Sequence, residues 1–324
     1  MKQIGKQIGN EKRTHYWGYF FVAPFVIVFL IFTLYPTLYT FTLAFTDLQG
    51  LRNNFKFVGV RQFATLVKDH YFWDAIGNTF IIWGLNFAPQ LGLALILSVW
   101  LSDVRLNLKC KPIFRAIVYM PNLLMTASVA LLFRSLFGYP AGPLSRLFYM
   151  SGHGLVEIVQ RGGQDVVQMF NFFRSVSFSR GIVAFIQWWM WYGQTVILMM
   201  AGITSISPSL YESALVDGAN SRQTTWYITL PLLRPMMLYT LVTSMIGGMQ
   251  MLDIPLLLTD GRGAPDYKIR TTALYLYNQA FQGRNNYAYA AAISIGMFIL
   301  TIILALFIFF FMQDRSKFKK KGAR

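Results

Sequence analysis

Residues 212–235 read Glu-Ser-Ala-Leu-Val-Asp-Gly-Ala-Asn-Ser-Arg-Gln-Thr-Thr-Trp-Tyr-Ile-Thr-Leu-Pro-Leu-Leu-Arg-Pro, a largely polar segment. It lies between two long apolar stretches, 180–206 and 232–258. Each stretch is long enough to cross the ~30 Å hydrocarbon core of a bilayer as a helix of ~20 residues. The quoted segment is therefore predicted to be a surface loop between two membrane spans.

The composition of the whole chain is that of a membrane protein. Of its 324 residues, 55% are hydrophobic and only 13% are charged, and the mean hydropathy is +0.44. A soluble domain carries about a quarter charged residues. Six stretches are apolar enough to span a membrane, at 17–45, 73–102, 112–137, 180–206, 232–258 and 288–313. We therefore predict an all-α fold, a six-helix polytopic membrane domain over residues 17–313.

The distribution of charge predicts that both termini lie in the cytoplasm. The segments then placed in the cytoplasm contain 16 Lys and Arg among 69 residues. These segments are 1–16, 103–115, 207–235 and 314–324. The pieces placed outside hold 12 in 99 residues, at 46–72, 138–180 and 259–287. Basic residues are thus about twice as dense inside, as the positive-inside rule requires. The net charge of +16 is explained without a nucleic-acid partner.

The ends of the chain and its cysteine content add three expectations. The first span is too long for a signal-peptide core, so it is predicted to be a permanent anchor after a cytoplasmic segment 1–16. The basic tail 314–324 is predicted to contact the lipid surface. Cys110 is the single cysteine, which excludes a disulfide framework.

The quoted loop carries local signals for two short helices. Ser207 followed by Pro208 predicts a helix start, because serine caps well and proline is tolerated in the first turn. Ser209 with Glu212 forms an alternative capping box. Gly218 predicts a left-handed helix end, and a second short helix is predicted over 220–227. Two short helices joined at a glycine are predicted to give the loop a rigid structure.

The spacing of the loop resembles the cytoplasmic coupling loop of ABC importer permeases. That pattern is Glu-Ala-Ala, three residues, Gly, nine residues and Ile-x-Leu-Pro. The matching positions are Glu212, Ser213, Ala214, Gly218, Ile228, Leu230 and Pro231, with Ser213 in place of the first alanine. Asp217 and Ala219 flank the glycine and belong to the same predicted ATPase-coupling loop, 207–231.

The resemblance implies a multi-pass permease subunit in the cytoplasmic (inner) membrane of a bacterium. It implies a second permease subunit in a heterodimeric membrane core, two ATPase subunits and an extracytoplasmic solute-binding protein. In the family the loop sits in a cleft of the ATPase, so Glu212 would make the charged contact, and Ala214 and Gly218 would permit close approach. ATP and Mg would be held by the partner ATPase and no cofactor by this chain. The sequence contains no P-loop, so an enzyme is not expected.

Further motifs resemble the sugar and oligosaccharide branch, the maltose- and glycerol-phosphate-type permeases. In and after the first span these are Phe21, Pro24, Tyr35, Pro36, Phe45, Thr46 and Asp47. After the fifth span they are Leu257, Leu258, Thr259, Asp260, Gly261 and Pro265. The long chain and the basic outer loops also resemble the permease of the alginate importer, whose cargo is an acidic oligosaccharide. The departure is a longer external loop, 138–179.

Polar and aromatic residues within the spans are candidates for the solute path, because polar groups inside a membrane are costly and usually functional. The fourth span offers Gln187, Trp188, Trp191, Tyr192 and Gln194. Aromatic faces stack on sugar rings, amides bond hydroxyls, and Gly193 would allow close backbone approach. The alternative is an aromatic belt at the membrane surface together with helix packing.

Two further spans contribute candidate solute contacts. Gln250 and Asp253 lie three residues apart and so are predicted to share one helical face; Asp253 alternatively lies wetted at the span's end. Asn86 and Gln90 are predicted to line the solute path. Alternatively, they satisfy backbone groups that a kink at Pro89 leaves free. Arg134 is predicted to snorkel to the outer surface.

Two other classes of function stay open at the level of sequence. An ATP-independent channel or secondary transporter would carry solute without an ATPase. A membrane scaffold would support no solute-stimulated ATP hydrolysis.

Overall fold

The computed structural model describes residues 17–50, 55–102, 111–140, 142–150, 156–161, 164–283 and 285–312. The predicted cytoplasmic segment 1–16, the tail 314–324 and Cys110 lie outside the described residues. The fold class is confirmed, because the long apolar elements are helices.

Thirteen helices are named here in chain order over the described ranges. They are α1 Trp17–Leu43, α2 Arg61–Lys68, α3 His70–Ser102, α4 Lys111–Tyr119, α5 Thr126–Phe137, α6 Pro143–Met150, α7 Val176–Thr204, α8 Pro208–Val216, α9 Ser221–Thr224, α10 Leu230–Met249, α11 Asp253–Leu258, α12 Thr272–Phe281 and α13 Tyr287–Met312. Among the described residues, five helices are long and apolar enough to cross a membrane, or six if one bent pair counts as a single span. The six predicted spans correspond to these elements.

The third predicted span is broken rather than continuous. A 3₁₀ turn, Met120–Leu123, follows α4, and the next helix, α5, departs at 82°. Pro121 is buried at this break, and Asn122 Nδ2 donates to the carbonyl of Met190 on α7 at 3.3 Å. Non-helical backbone is tolerated at membrane depth only where protein or water covers it. This chain itself therefore covers part of the break, through buried Pro121 and the bond from Asn122.

The fifth span also has a break, and this corrects a prediction. Helix α10 ends at Met249, and α11 begins at Asp253. Gln250 is the C-cap residue, with φ −91° and ψ 4°. Gln250 and Asp253 therefore do not share the face of one continuous helix, because the intervening residues are not helical.

The predicted external loop 138–179 contains regular structure that the sequence analysis did not anticipate. It holds helix α6, strands β1 Val156–Arg161 and β2 Gln164–Met169, and a 3₁₀ turn, Phe172–Arg174. The two strands pair antiparallel, with Val156 opposite Met169 and Arg161 opposite Gln164. The glycine pair 162–163 that joins them lies outside the described residues. This hairpin is the exception to the all-α prediction.

The chain divides into two compact units. One comprises residues 1–68 and 279–296, and the other comprises residues 69–278 and 297–324. In the first unit, Ala44 packs with Ala291, Ala292 and Ile295. In the second unit, α3 packs along α7. The main core of the second unit consists of buried residues that include Ile82, Val183, Ile186, Met190, Ile254 and Ile269. All candidate site residues discussed below belong to this second unit.

Candidate functional site

The predicted coupling loop folds as two short helical arms, which we call the elbow (Pro208–Thr229). Ser207 occupies the N-cap position with φ −58° and ψ 128°, and Pro208 is the first helical residue. The start at Ser207 is thereby confirmed, and the alternative start at Ser209 is wrong. The Ser207 hydroxyl does not cap the helix, because its Oγ lies 2.8 Å from Ser209 Oγ.

The first arm ends in a Schellman motif around Gly218. Gly218 has φ +75°. Its N–H donates to Leu215 O at 3.1 Å, and the N–H of Ala219 donates to Ala214 O at 2.9 Å. This pair of bonds satisfies the last carbonyls of a helix and requires the left-handed conformation that glycine adopts without strain. The prediction for Gly218 is confirmed.

The second arm begins with a capping box. Asn220 Oδ1 accepts from the backbone N–H of Gln223 at 2.8 Å, and Gln223 Oε1 accepts from the N–H of Asn220 at 2.9 Å. The residues Asn-x-x-Gln are a recognisable signal of this box, although the sequence analysis did not use it. The box fixes where the second arm starts.

The second arm continues directly into the fifth span. A π-helical turn, Thr225–Thr229, joins α9 to α10, so that the helix runs unbroken from Ser221 to Met249. Ile228, Leu230 and Pro231 therefore lie on this helix and not in a loop. A displacement of the elbow is a displacement of the fifth span.

A hydrogen bond connects the two arms. Tyr211 on α8 and Thr229 in the π-helical turn approach to 3.2 Å between their hydroxyl oxygens. Thr229 and Ala214 are both buried by this chain itself. Burial of Ala214 differs from its predicted role in close approach of a partner, since its small side chain lies inside the elbow.

The elbow carries exposed apolar side chains and exposed acids. Leu215, Val216, Trp226 and Tyr227 are each more than half exposed, with Val216 at 88%. Glu212, Ser213 and Asp217 are also exposed. Exposed apolar side chains near exposed polar ones are typical of a protein interaction site.

In the fourth span, the structure places Trp188 and Tyr192 together. Their rings stack at 5.7 Å between centroids. The Trp188 Nε1 is buried and has no hydrogen-bond partner in the described part of the chain. Gln187 is half-buried, whereas Trp191 and Gln194 are exposed. Buried indole N–H groups usually find a partner, so Trp188 is the notable member of this group.

Gly193 has a role different from the predicted one. A Cβ at this position would lie 2.0 Å from the backbone oxygen of Val118 on α4. The backbone that approaches Gly193 is therefore that of a neighbouring helix. The glycine is needed for the crossing of α4 and α7.

The candidates on the second span are buried between helices. Gln90 Nε2 donates to Thr195 Oγ1 on α7 at 2.7 Å, and Thr195 Oγ1 donates to the carbonyl of Trp191 at 3.3 Å. Asn86 is 2% exposed. Gln90 therefore connects α3 to α7, whereas Gln250 and Asp253 are exposed at the break of the fifth span.

Arg134 forms an ion pair that the sequence did not predict. Its Nη2 donates to Asp260 Oδ2 at 2.6 Å, and Nη1 donates to Asp260 Oδ1 and to Leu257 O. The pair connects α5 to the loop after α11. Asp260 has φ +50°, a conformation that aspartate tolerates better than most residues.

The loop before α12 holds a buried cation, Arg270, that the sequence did not reveal. The guanidinium of Arg270 lies 5.2, 4.4 and 4.9 Å from the ring centroids of Tyr71, Tyr267 and Tyr275, a group that we call the tyrosine cage. Burial lowers the pKa of Arg270, whereas the tyrosines and Asp69 act in the opposite direction. Tyr275 also donates its hydroxyl proton to Asp69. The cage fixes the loop onto the start of α3.

The backbone of this loop is held by a second set of long-range bonds. Asn78 Nδ2 donates to Tyr267 O at 2.9 Å and to Arg270 O at 3.3 Å. Arg180 on α7 donates to Asn78 Oδ1 and, through Nε, to Lys268 O at 3.0 Å. Helices α3 and α7, the second and fourth spans, thus both bind the backbone of this loop.

Comparison with known proteins identifies the family. Residues 90–319 match the family described as "Binding-protein-dependent transport system inner membrane component". The chain belongs to this family. It is a multi-pass inner-membrane permease component of a bacterial ABC importer, and such a system also includes an ATPase and a periplasmic solute-binding protein.

Relatives cover nearly the whole chain. The lactose transport system permease protein LacF of Rhizobium radiobacter is 28% identical over 299 residues, which cover 92% of this chain and 95% of LacF. The arabinooligosaccharides transport system permease protein AraP of Bacillus subtilis is 29% identical over 288 residues, which cover 89% of this chain and 86% of AraP.

A solved structure has the same fold. It is a bacterial ABC transporter involved in the import of the acidic polysaccharide alginate, with a TM-score of 0.76 and 24% identity. The match covers 95% of this chain and 98% of that chain. At this identity the similarity shows the fold alone.

Proposed function

We propose that this permease passes an oligosaccharide across the membrane by alternating access, driven by an ATPase that docks on the elbow. The observation that carries the proposal is the continuity of the helix from Ser221 to Met249. The Gly218 turn and the Tyr211–Thr229 bond hold the first arm against this helix. Closure of an ATPase on ATP would therefore move the fifth span as a lever, a rigid-body transition of the kind transporters use.

The docking surface consists of the exposed apolar residues of the elbow and the carboxylates beside them. Leu215, Val216 and Trp226 supply the apolar area, and Glu212 and Asp217 supply charge. This arrangement suits a cleft with an apolar floor and a basic rim in one of the two ATPase subunits. ATP and Mg would be bound there and not by this chain.

The membrane core is proposed to contain a second permease chain, different from this one. The break between α4 and α5 supports this, since Met120, Leu123 and Met125 are all more than 60% exposed in the isolated chain. Non-helical backbone at membrane depth requires cover. Both termini, the N-terminal segment and the basic tail are proposed to be cytoplasmic.

The proposed cargo is a sugar or oligosaccharide, and an acidic one similar to alginate is the specific candidate. Relatives are named for lactose and for arabinooligosaccharides, and the matching fold belongs to an alginate importer. The excess of basic residues in the outer loops supports an anionic cargo. Trp188 and Tyr192 provide a stacking surface with an unpartnered N–H. Gln187, Gln194 and Gln250 supply amides.

The coupling proposal is tested in the full complex, reconstituted with its ATPase and binding protein. Gly218→Val forces a β-branched residue into φ +75°, and we expect uptake to fall by about tenfold or more while ATP hydrolysis continues. Gly218→Asn is the matched control, because asparagine tolerates this conformation and should keep most of the uptake. Unchanged uptake by Gly218→Val would refute coupling through the elbow.

The cargo proposal is tested separately by solute-stimulated ATP hydrolysis. Binding protein loaded with uronate oligosaccharides should stimulate hydrolysis more than binding protein loaded with neutral ones. Stimulation by neutral sugars alone would refute the acidic cargo without affecting the coupling proposal. Uptake that persists with an ATPase unable to hydrolyse ATP would favour a channel or secondary transporter.

A further inference from the structure

A cavity of about 530 Å³ opens beside the fourth span. It lies between the end of α5, the start of α7 and helix α6. Its walls are nearly all apolar and include Phe133, Phe137, Leu144, Phe178, Gly181 and Phe185, with the hydroxyl of Ser177 as a polar exception. Ligand pockets commonly have volumes of about 300–1,000 Å³. The cavity is large enough for an organic ligand and not only for a water molecule.

The walls of the cavity are well packed. Phe133 and Phe137 stack at 6.1 Å between centroids, and Phe137 meets Phe172 edge-on at 5.1 Å. Phe172 is buried, and behind it lies the main core of the second unit. On the opposite wall, a Cβ added to Gly181 would meet nothing within 4 Å. The cavity is thus a recess that is packed against the core on the side of Phe172 and has open space next to Gly181.

The chemistry of the recess excludes the polar cargo. A sugar requires several hydrogen-bonding groups, because each unsatisfied hydroxyl that leaves water is costly. Ser177 alone cannot supply them. An apolar chain has no such requirement and gains from each buried methylene. A hydrocarbon chain therefore suits the recess better than a sugar does.

The position of the recess identifies where the hydrocarbon comes from. Its α7 wall runs from Ser177 to Phe185, about 12 Å along the helix axis, within one half of a ~30 Å hydrocarbon core. Both α5 and α7 belong to predicted membrane spans. Phe178 and Phe185 remain more than 40% exposed. The recess therefore opens on the exposed side of two predicted membrane spans.

Charge at the edge of the recess suits a phospholipid headgroup. Arg146 on α6 is exposed. It follows the wall residue Leu144 by two positions, so that its backbone lies beside the recess although its side chain leaves α6 on another face. Arginine pairs well with phosphate.

We propose that this recess binds one acyl chain of a phospholipid from the leaflet beside loop 138–179, with the lipid phosphate held by Arg146. The site is separate from the elbow, and Phe185 in its wall contacts Trp188 of the proposed solute path, at 5.5 Å between ring centroids. It gives helix α6 a role as a lipid-binding cover on the end of α7. The proposal does not depend on the cargo or on the coupling mechanism.

The first test measures phospholipid retained by the purified full complex after exchange into detergent, by native mass spectrometry. Gly181→Leu fills the recess, and we expect retained phospholipid on this chain to fall by about tenfold because several methylenes lose their burial. Gly92→Leu is the matched control, since Gly92 lies on α3, is exposed, and also has open space around a Cβ. Equal retention in the two variants would overturn the proposal.

The second test does not require Gly181→Leu to fold. Cys110 is the single cysteine, so that Ser177→Cys in a Cys110→Ser background carries one thiol, inside the recess. Phosphatidylglycerol with 16-carbon chains should slow its reaction with a thiol reagent, compared with complex stripped of lipid. Reaction at the same rate with and without this lipid would refute the site, as would protection that persists without lipid.

A third comparison separates the headgroup from the chain. Arg146→Gln should reduce the preference for phosphatidylglycerol over phosphatidylcholine, whereas Arg262→Gln, also exposed but in another loop, should leave it unchanged. An unchanged preference in Arg146→Gln would refute the assignment of the phosphate to this arginine.

Discussion

The elbow and the tyrosine cage are both compact polar structures at ends of membrane helices, but different contacts hold them. In the elbow, bonded residues lie close in sequence, and the longest connection, Tyr211 to Thr229, spans 18 positions. In the loop of the cage, Asn78 bonds the carbonyl of Arg270 across 192 positions. The elbow is therefore a self-contained piece, whereas the cage joins parts of the chain that are distant in sequence.

This difference suits different mechanical tasks. A self-contained piece keeps its shape when it is pushed, because its bonds do not depend on the position of other spans. A structure made of long-range contacts resists relative movement of the spans it joins. We infer that the elbow transmits motion and that the cage anchors the loop before α12 to spans two and four. Substitutions in the cage should lower stability most, and those in the elbow should mainly affect coupling.

The largest effect is expected for Arg270→Ala. This variant removes a buried side chain and its contacts with three tyrosine rings, so that we expect a loss of about 3 kcal/mol in the free energy of unfolding. Thermal unfolding of the purified chain in detergent measures it as a lower Tm.

Tyr267→Phe is the control for the cage. It keeps the ring face that lies 4.4 Å from Arg270, so that its Tm should stay close to that of the unaltered protein. If Arg270→Ala and Tyr267→Phe had the same Tm, the cage would not be an anchor.

The next effect tests another long-range contact, between Gly193 and Val118. Gly193→Ala places a Cβ 2.0 Å from the Val118 carbonyl oxygen. Because backbone cannot move aside as a flexible side chain does, we expect a loss of about 2 kcal/mol from forced separation of α4 and α7.

Gly181→Ala provides the comparison for Gly193→Ala on the same helix. A Cβ at Gly181 meets nothing within 4 Å, so that its unfolding temperature should not fall. A normal Tm for Gly193→Ala would contradict the close crossing of the two helices.

The range of these contacts also explains what the sequence predicted. The helix start at Pro208 and the left-handed turn at Gly218 were predictable, because proline, serine and glycine act on their immediate neighbours. The six apolar segments were predictable from length and composition. Arg270 was not singled out, because nothing near it in sequence indicates that Tyr71 will approach its side chain.

Contacts between helices at residues of the predicted solute path were not foreseen for the same reason. Gly193 and Gln90 were selected by residue type, but their partners, Val118 and Thr195, lie on other helices. Gln250 and Asp253 were placed on one face by assuming an unbroken helix. The break at 250–252 depends on tertiary packing that helical periodicity does not reveal.

Within the elbow, a moderate effect is expected for Asn220→Ala. It removes the oxygen that accepts from the Gln223 N–H at 2.8 Å, and loss of an N-cap costs about 1 kcal/mol. We expect the second arm to fray at its start and uptake to decrease, with little change in global Tm. Asn220→Asp should retain activity, since aspartate also caps well. A large fall in Tm for Asn220→Ala would show that the elbow is not self-contained.

The smallest effect is expected for Tyr211→Phe, which removes one hydroxyl and keeps the ring. The bond to Thr229 is neutral and 3.2 Å long, so that its loss should cost about 0.5–1 kcal/mol, too little to unfold the protein. The two arms would nevertheless lose their side-chain connection, and some of the thrust applied to α8 would then bend the elbow instead of moving α10. We expect more ATP hydrolysed per solute imported, at an unchanged Tm. Tyr227→Phe, at a side chain that is 79% exposed, should leave the ratio of hydrolysis to import unchanged. If both variants import with the same ratio as the unaltered protein, the stiffness of the elbow comes from its backbone turn at Gly218 and not from the bond between its arms.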